Sequence, residues 1–237
     1  MMMAMSGWYK LWRSAVRQDM ELTPHEFKLW YLLQTVAFRT DTERMKRGTL
    51  ERSYSDLRIA LSRVQLWEDS IPLFSYSTLS KALARLVETG RIVRLEPDAR
   101  RRNRLKFRIR EWDLMQHGNY DAVPGRDRAG WLKVWRSALY CVDMADLSPA
   151  EFKLWILLQS LASHTETDKY PRGSVRTSYT HLAATLRDLK YKPDNLSRML
   201  MTLEDTKRID LTGDKHGELR IRIQDWDEMQ HGHYDAE

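Results

Sequence analysis

The chain has 237 residues, of which 42% are hydrophobic, and its nine Trp and ten Tyr exclude general disorder. A net charge of +6 favours a polyanionic partner. The single cysteine, Cys141, excludes an internal disulfide, and no apolar run approaches the roughly 18 residues of a membrane span. Because the Met-rich start lacks a basic leader and a true apolar core, we predict no signal peptide. The lone cysteine suits a reducing cytosol, so we expect a cytoplasmic protein.

The sequence repeats itself over its whole length. Gly7–Ser14 (GWYKLWRS) returns as Gly130–Ser137 (GWLKVWRS), and Trp112–Ala122 (WDLMQHGNYDA) returns as Trp226–Ala236 (WDEMQHGHYDA). Matches of this length in one order predict a tandem duplication. We expect two domains, copy one (residues 1–122) and copy two (residues 130–237), with a short linker at 123–129.

Each copy begins with two tryptophans and then carries helix-start signals. Thr23-Pro24 in copy one and Ser148-Pro149 in copy two each place an N-cap residue before a proline at the first helical position. Further on, Ser53 and Ser178 are predicted caps of a short second helix.

Residues 77–110 of copy one are predicted to form a third helix and a hairpin. Leu79, Leu83 and Leu86 make one apolar stripe, and Gly90 suits a helix C-terminus. Residues 91–95 and 105–109 alternate apolar with basic side chains, as half-buried strands do. A helix followed by a hairpin with a basic tip predicts a winged helix-turn-helix. The predicted fold class is therefore α+β, mainly α with small β-hairpins, as two tandem winged helix-turn-helix domains.

The copies differ in length and in charge. Copy one has eight extra residues between its second and third helices, within residues 62–75, and Trp67 and Phe74 are expected to fold this insert back onto the domain. Copy one has 22 Lys+Arg against 15 Asp+Glu, whereas residues 123–237 have 17 against 18. The excess positive charge therefore belongs to copy one.

The third helix of a winged helix lies in the major groove, where polar residues near its N-terminus reach base edges. In copy one the face opposite the leucines carries Ser77, Ser80, Lys81, Ala84 and Arg85. In copy two it carries Asn195, Ser197, Arg198, Met201 and Thr202. Asn195 is a base-reading candidate because asparagine pairs two-pronged with adenine. The alternative is that both faces are simply the solvated sides of amphipathic helices.

Basic residues outside the third helix are candidate phosphate contacts. The hairpin tip of copy one holds Arg100, Arg101, Arg102 and Arg104, and several such contacts would make binding steeply salt-dependent. The tip of copy two has only Lys215 and His216 and is predicted to be a poor clamp. Further candidates flank the second helices: Lys46, Arg47, Arg52, Arg172 and Arg176. A solvated loop is the alternative interpretation of such charge runs.

No catalytic motif is present: the sequence contains no Walker loop, no Gly-x-Ser-x-Gly and no His-Glu-x-x-His. We therefore expect no enzyme. His117 and His231 lack cysteine partners, so we expect no metal and no other cofactor. The tryptophans at positions 8, 12, 30 and 112, with their counterparts in copy two, are expected in the core.

The segments Gly7–Ser14, Phe27–Trp30, Lys46–Leu50 and Ile109–Gln116 form a pattern that copy two repeats at Pro171–Val175 and Ile223–Gln230. This pattern resembles the N-terminal winged-helix domain of phage replisome organisers and DnaD-type primosome proteins. The resemblance implies a bacterial or mobile-element DNA-binding protein connected with replication initiation, located in the bacterial cytosol or nucleoid. In that family the winged helix binds DNA, self-associates, or both. The family's helical C-terminal domain, with its Tyr-x-x-x-Ile-x-x-x-Trp motif, has no counterpart here. A second winged helix stands in its place, a layout shared with plasmid initiators.

The leading hypothesis is a double-stranded DNA-binding protein that acts at a phage or plasmid origin, with itself or replication proteins as further partners. One alternative is a transcriptional regulator of a mobile element. Another is an interaction adaptor in which copy two binds a protein, which its near-neutral charge favours.

Overall fold

The computed structural model describes residues 7–61, 74–96, 104–122, 130–136, 147–167, 170–186, 193–213 and 217–231, so the linker lies outside it. Copy one contains β1 (Trp8–Trp12), α1 (Arg13–Asp19), α2 (Pro24–Val36), β2 (Thr49–Arg52), α3 (Tyr54–Leu61), α4 (Tyr76–Glu88), β3 (Ile92–Leu95), β4 (Leu105–Ile109), α5 (Trp112–Gln116) and a 3-10 turn (Tyr120–Ala122). Copy two contains β5 (Trp131–Trp135), α6 (Pro149–Leu161), β6 (Ser174–Thr177), α7 (Tyr179–Leu186), α8 (Pro193–Asp205), β7 (Ile209–Thr212), β8 (Leu219–Ile223) and α9 (Trp226–His231). The described chain is thus a mixture of helices and small antiparallel sheets, compatible with the α+β class.

The predicted helix starts are confirmed. The backbone N–H of Thr23 donates to the Glu26 carboxylate over 2.9 Å, while the Thr23 hydroxyl accepts from the Glu26 N–H, so the pair forms a capping box. Ser148 and Glu151 form the same box at the start of α6. Ser53 caps α3 by accepting the Asp56 N–H.

Each copy forms a three-stranded sheet whose central strand is its last, in the orders β2-β4-β3 and β6-β8-β7. Phe107 and Ile109 of β4 are buried while Arg108 between them is exposed, which confirms the predicted alternation. Gly90, with φ of +72°, ends α4 in the left-handed conformation that glycine tolerates. Helix α4 and strands β3 and β4 are therefore close to their predicted bounds.

The repeated Met-Gln endings hold the first strand of each copy. The Trp12 indole N–H donates to the Met115 carbonyl over 2.7 Å. The Gln116 side chain accepts from the Lys10 N–H and donates to the Lys10 carbonyl, so it occupies the free edge of β1. Gln230 makes the same two bonds to Lys133 in copy two.

The two copies share one core. Strand β1 pairs with β5, and α2 packs against α6. The ring centroids of Phe27 and Tyr31 lie 6.2 and 6.0 Å from that of Phe152. Phe74, at the end of the insert, is buried edge-on against His25 as predicted, whereas residues 62–73, Trp67 included, lie outside the described residues.

The expectation of core tryptophans is wrong at one pair. Trp131 is 37% exposed and Trp8 is half-buried, while the other tryptophans of that set are buried. The rings of Trp8 and Trp131 stack in parallel with centroids 5.5 Å apart on the outer face of the β1–β5 ribbon. Lys10 and Lys133 place their ammonium groups over these rings, so the pair is covered by cations rather than by core side chains.

Candidate nucleic-acid interface

Helix α4 presents the face that its leucine spacing predicts. Leu79, Ala82, Leu83 and Leu86 are buried, whereas Ser77, Ser80, Lys81, Ala84 and Arg85 are exposed. The Arg85 guanidinium lies 2.9 Å from the Glu88 carboxylate, so part of its charge is already paired. Of the two cations on this face, the exposed Lys81 is therefore more available to a ligand than Arg85.

The N-terminus of α4 carries an aromatic and cationic cluster that the sequence reasoning missed. Tyr76 is 51% exposed, and the Arg58 guanidinium carbon lies 4.5 Å from the centroid of its ring. The Tyr54 ring lies edge-on to Tyr76 with centroids 6.5 Å apart. We call Tyr54, Arg58 and Tyr76 the tyrosine–arginine cluster. The available signal was weak: each tyrosine follows a helix-capping serine.

The cluster adjoins the cap of α4. Ser75 accepts the Thr78 N–H over 3.0 Å, and its hydroxyl lies 3.0 Å from that of Ser77. The exposed hydroxyl of Ser77, the first-turn N–H groups that precede the capped Thr78 N–H, and the Tyr76 ring therefore occupy one end of α4. Such an end suits phosphate oxygens.

Arg104 brings the base of the basic hairpin close to α3. Burial pulls the pKa of Asp56 up, but hydrogen bonds from Ser53 and the nearby charges of Arg104 and Arg52 leave that pKa below its ordinary value. Arg104 is exposed at the start of β4. Arg100, Arg101 and Arg102 lie outside the described residues.

Most of the predicted phosphate clamps are engaged in the fold. The Arg47 guanidinium lies 2.7 Å from the Asp113 carboxylate, and Arg172 lies 3.5 Å from the equivalent Asp227. Arg52 donates to the Glu51 carbonyl, Arg176 pairs with Glu218, and the 77%-exposed Lys46 lies 3.7 Å from Asp41. The repeated Arg–Asp pair explains Arg47 and Arg172 structurally, since it ties the loop before the sheet to the closing helix. Lys46 is the most accessible of the set.

Copy two matches its predicted face only in part. Asn195 and Arg198 are exposed, but the Arg198 guanidinium donates to the Asn195 side-chain oxygen over 2.8 Å. Ser197 is only 8% exposed, so the prediction that it lies on the outer face is wrong: it lies between the buried Leu196 and Met199 on the packed side of α8. Lys215 and His216 lie outside the described residues.

The sheets differ in charge at equivalent positions. In copy one, Arg108 of β4 stands opposite Val93 and Thr49, which are both neutral. In copy two, Arg222 of β8 stands opposite Asp210. Glu218 pairs with both Arg176 and Arg220. At the position opposite Arg108 and Arg222, copy two therefore has a carboxylate where copy one has none. The next pair differs in the other sense, since Glu51 stands opposite Lys106 in copy one and Arg176 opposite Arg220 in copy two.

Other kinds of site find little support in the described residues. Within these ranges no three His, Cys, Asp or Glu side chains gather where they could hold a metal ion. None of the described helices has the length and apolar character needed to cross a membrane. Comparisons of the chain with protein-family models, with curated proteins and with solved structures found no match.

Proposed function

We propose that the chain binds double-stranded DNA and that each copy is a winged helix-turn-helix. The observation that carries this proposal is the order of elements around α4. A helix, a strand, two helices and a hairpin follow one another along the chain, and the hairpin strands β3 and β4 pair in one sheet with β2 in the order β2-β4-β3. In that fold α4 is the recognition helix and the β3–β4 connection is the wing.

Copy one supplies most of the affinity in this proposal. Its α4 face is exposed with Lys81 and Arg85, the tyrosine–arginine cluster lies at the helix start, and Arg104 leads into the basic wing. Phosphate contacts position a protein on the duplex, and base contacts select the sequence. We assign the wing to phosphates and the N-terminal half of α4 to bases.

A salt series of electrophoretic mobility shifts on duplex DNA tests the proposal. Replacing Arg100, Arg101, Arg102 and Arg104 together with Ala should weaken binding several-fold. The slope of log K against log salt is negative, and its magnitude should decrease by about one for every phosphate that the variant no longer neutralises. The matched control is the equivalent tip of copy two, where Lys215→Ala with His216→Ala should change both quantities little. An unchanged slope in the four-arginine variant would show that the wing does not bind DNA.

The biological role that we propose is replication initiation at a phage or plasmid origin, on the strength of the resemblance in both copies. Transcriptional control of a mobile element uses the same surfaces. The replication role and the transcriptional role can be distinguished with a plasmid that carries a DNA site selected by the protein. An initiator sustains replication of that plasmid when supplied in trans, whereas a regulator only changes transcription from a promoter overlapping the site.

A protein-interaction role for copy two is the second candidate, and one observation favours it. Met201, at the centre of the outer face of α8, is 55% exposed beside the paired Asn195 and Arg198. Replacing Asn195 and Arg198 with Ala should alter DNA site preference if copy two reads bases. If neither preference nor affinity changes, the face belongs to a protein partner.

A further inference from the structure

The ribbon between the copies pairs each strand with its own duplicate. In the antiparallel register Trp8 stands opposite Trp135, Lys10 opposite Lys133 and Trp12 opposite Trp131. Lys10 and Lys133 are equivalent residues of the repeat, so the register is symmetric about them. An interface in which one surface meets its own copy in this way has two-fold symmetry.

Side-chain and backbone hydrogen bonds across the copies follow the same symmetry. Lys28 donates to the Leu147 carbonyl over 2.7 Å, and its equivalent Lys153 donates to the equivalent Leu22 carbonyl over 2.7 Å. Both lysines are buried. The backbone adds a further exchange: Arg13 N–H donates to the Gly130 carbonyl over 3.0 Å, and the equivalent Arg136 N–H donates to the Gly7 carbonyl over 2.9 Å.

The C-terminal ends of α2 and α6 also accept reciprocal hydrogen bonds from the other copy. The Arg13 guanidinium donates over 2.7 Å to the Ala162 carbonyl at the end of α6. The Arg136 guanidinium donates over 3.0 Å to the Ala37 carbonyl at the end of α2. Each arginine thus places its charge at the negative end of the other copy's helix. Every one of these hydrogen bonds has its reciprocal, so an approximate two-fold axis relates the copies.

The axis also relates the two recognition-helix candidates. Helix α4 packs on α2, and α8 packs on α6. Since α2 and α6 meet across the axis, the axis carries α4 onto α8 and reverses the part of the helix direction that is perpendicular to the axis. On a duplex that lies across the axis and binds both helices, α4 and α8 therefore run in opposite directions along the DNA. A two-fold dimer on a palindrome has the same arrangement.

We propose, on the basis of the proposed DNA-binding function, that the DNA target consists of two half-sites in inverted orientation with different sequences. The inversion follows from the approximate two-fold axis. The difference follows from the reading residues, since Ser77 is matched by Asp194 and Arg85 by Thr202 in the repeat. The tandem duplication thus acts as a two-fold dimer whose halves recognise different DNA.

Directed cleavage of bound DNA tests the orientation. A duplex is selected from a random pool with the full chain, and a hydroxyl-radical cleavage reagent is attached to single cysteines in a Cys141→Ser background. Ser77→Cys and Glu88→Cys mark the two ends of α4, and Asp194→Cys and Asp205→Cys mark the equivalent ends of α8; all four positions are exposed. Each 13-residue helix is about 20 Å long, so cuts from its two ends fall several base pairs apart.

The order of the four cleavage centres along the duplex decides the outcome. Inverted half-sites give 77, 88, 205, 194, or 88, 77, 194, 205. The orders 77, 88, 194, 205 and 88, 77, 205, 194 would mean direct repeats and would overturn the inference. Absence of cleavage from positions 194 and 205 would overturn it too, because copy two would not lie on the DNA. A chain that retains no duplex from the pool refutes the proposed function, and this inference falls with it.

Discussion

Gly48 offers a clean test of how the loop before the sheet packs on the closing helix. Its φ is +72°, and a Cβ built on it would lie 2.5 Å from Cγ and 2.6 Å from Cβ of the buried Trp112. Gly130 has nearly the same φ, +74°, but among the described residues, its chain neighbours aside, no atom lies within 4 Å of its added Cβ. Gly48→Ala and Gly130→Ala therefore share the backbone strain and differ in the steric overlap with Trp112.

The two contributions have separate magnitudes. An L-residue in the left-handed region costs roughly 1–2 kcal/mol. Forcing a methyl group into a filled core costs about 1–3 kcal/mol more, because the indole of Trp112 must move. We expect Gly130→Ala to lower the free energy of unfolding by about 1–2 kcal/mol and Gly48→Ala to lower it by about 2–5 kcal/mol.

Urea unfolding followed by tryptophan fluorescence and far-UV circular dichroism measures both variants. With a slope near 2–3 kcal/mol per molar urea, the midpoint of Gly48→Ala should fall about 0.5–1 M further than that of Gly130→Ala. Gly173→Ala in copy two should match Gly48→Ala, since its Cβ would lie 2.7 Å from Cβ of Trp226. Equal midpoints for Gly48→Ala and Gly130→Ala would refute the packing argument.

Three further predictions concern single side chains. Lys153→Met should lower the free energy of unfolding by about 3 kcal/mol, because it leaves buried backbone carbonyls of the other copy unpaired. The control Lys46→Met, at the surface, should change that free energy by less than about 0.5 kcal/mol in the same urea assay. Burial and, next, the charge of Arg13 lower the pKa of His164 from 6.5 to about 4, so the unfolded chain binds more protons there and stability falls as the pH drops between those values. Urea midpoints at pH 7 and pH 5 should differ less in His164→Gln than in the unmodified chain; an equal difference would contradict this. Tyr76→Ala should weaken DNA binding about tenfold in mobility shifts, and the matched control Tyr170→Ala, which removes the exposed arginine-stacked tyrosine of copy two, should not.

Signals confined to a few residues predict the local structure well. Thr23 and Ser148 cap their helices, Gly90 takes a positive φ, and the alternation through Phe107 and Ile109 marks a strand, because each depends on the conformational preference of the residue itself or of near neighbours. The α4 face is predictable for the same reason.

Interactions between distant segments are not predictable in this way. Lysine is seldom buried, so nothing in the Phe-Lys-Leu-Trp motif indicates that Lys28 and Lys153 lie in the core. Their ammonium groups donate hydrogen bonds there to carbonyls more than 100 residues away along the chain. The ion pair of Arg47 with Asp113 is equally hidden from the sequence, because the two residues are remote along the chain. The prediction for Ser197 is wrong because the sequence gives no sign of how far the buried side of α8 extends. Asn195 and Arg198 are exposed, but Ser197 lies just inside the packed side.

The internal comparison of the copies separates the residues that join them from the residues that face solvent. The residues whose contacts are reciprocal across the axis keep their identity in both copies: Arg13 and Arg136, Lys28 and Lys153, Phe27 and Phe152, Trp8 and Trp131. Tyr31, which packs on Phe152, has changed to Ile156. Exposed positions have changed, Ser77 to Asp194 and Ala84 to Met201.

A shared core explains this division. A change at one reciprocal hydrogen bond leaves its partner's buried polar group unpaired, which costs about 1–3 kcal/mol, whereas a change at an exposed position usually costs less than about 0.5 kcal/mol. Duplication within one chain then lets the two outer faces diverge independently, which a dimer of identical chains cannot do. This difference in cost allows the outer faces to differ in charge, and residues 1–122 have 22 Lys+Arg against 15 Asp+Glu whereas residues 123–237 have 17 against 18.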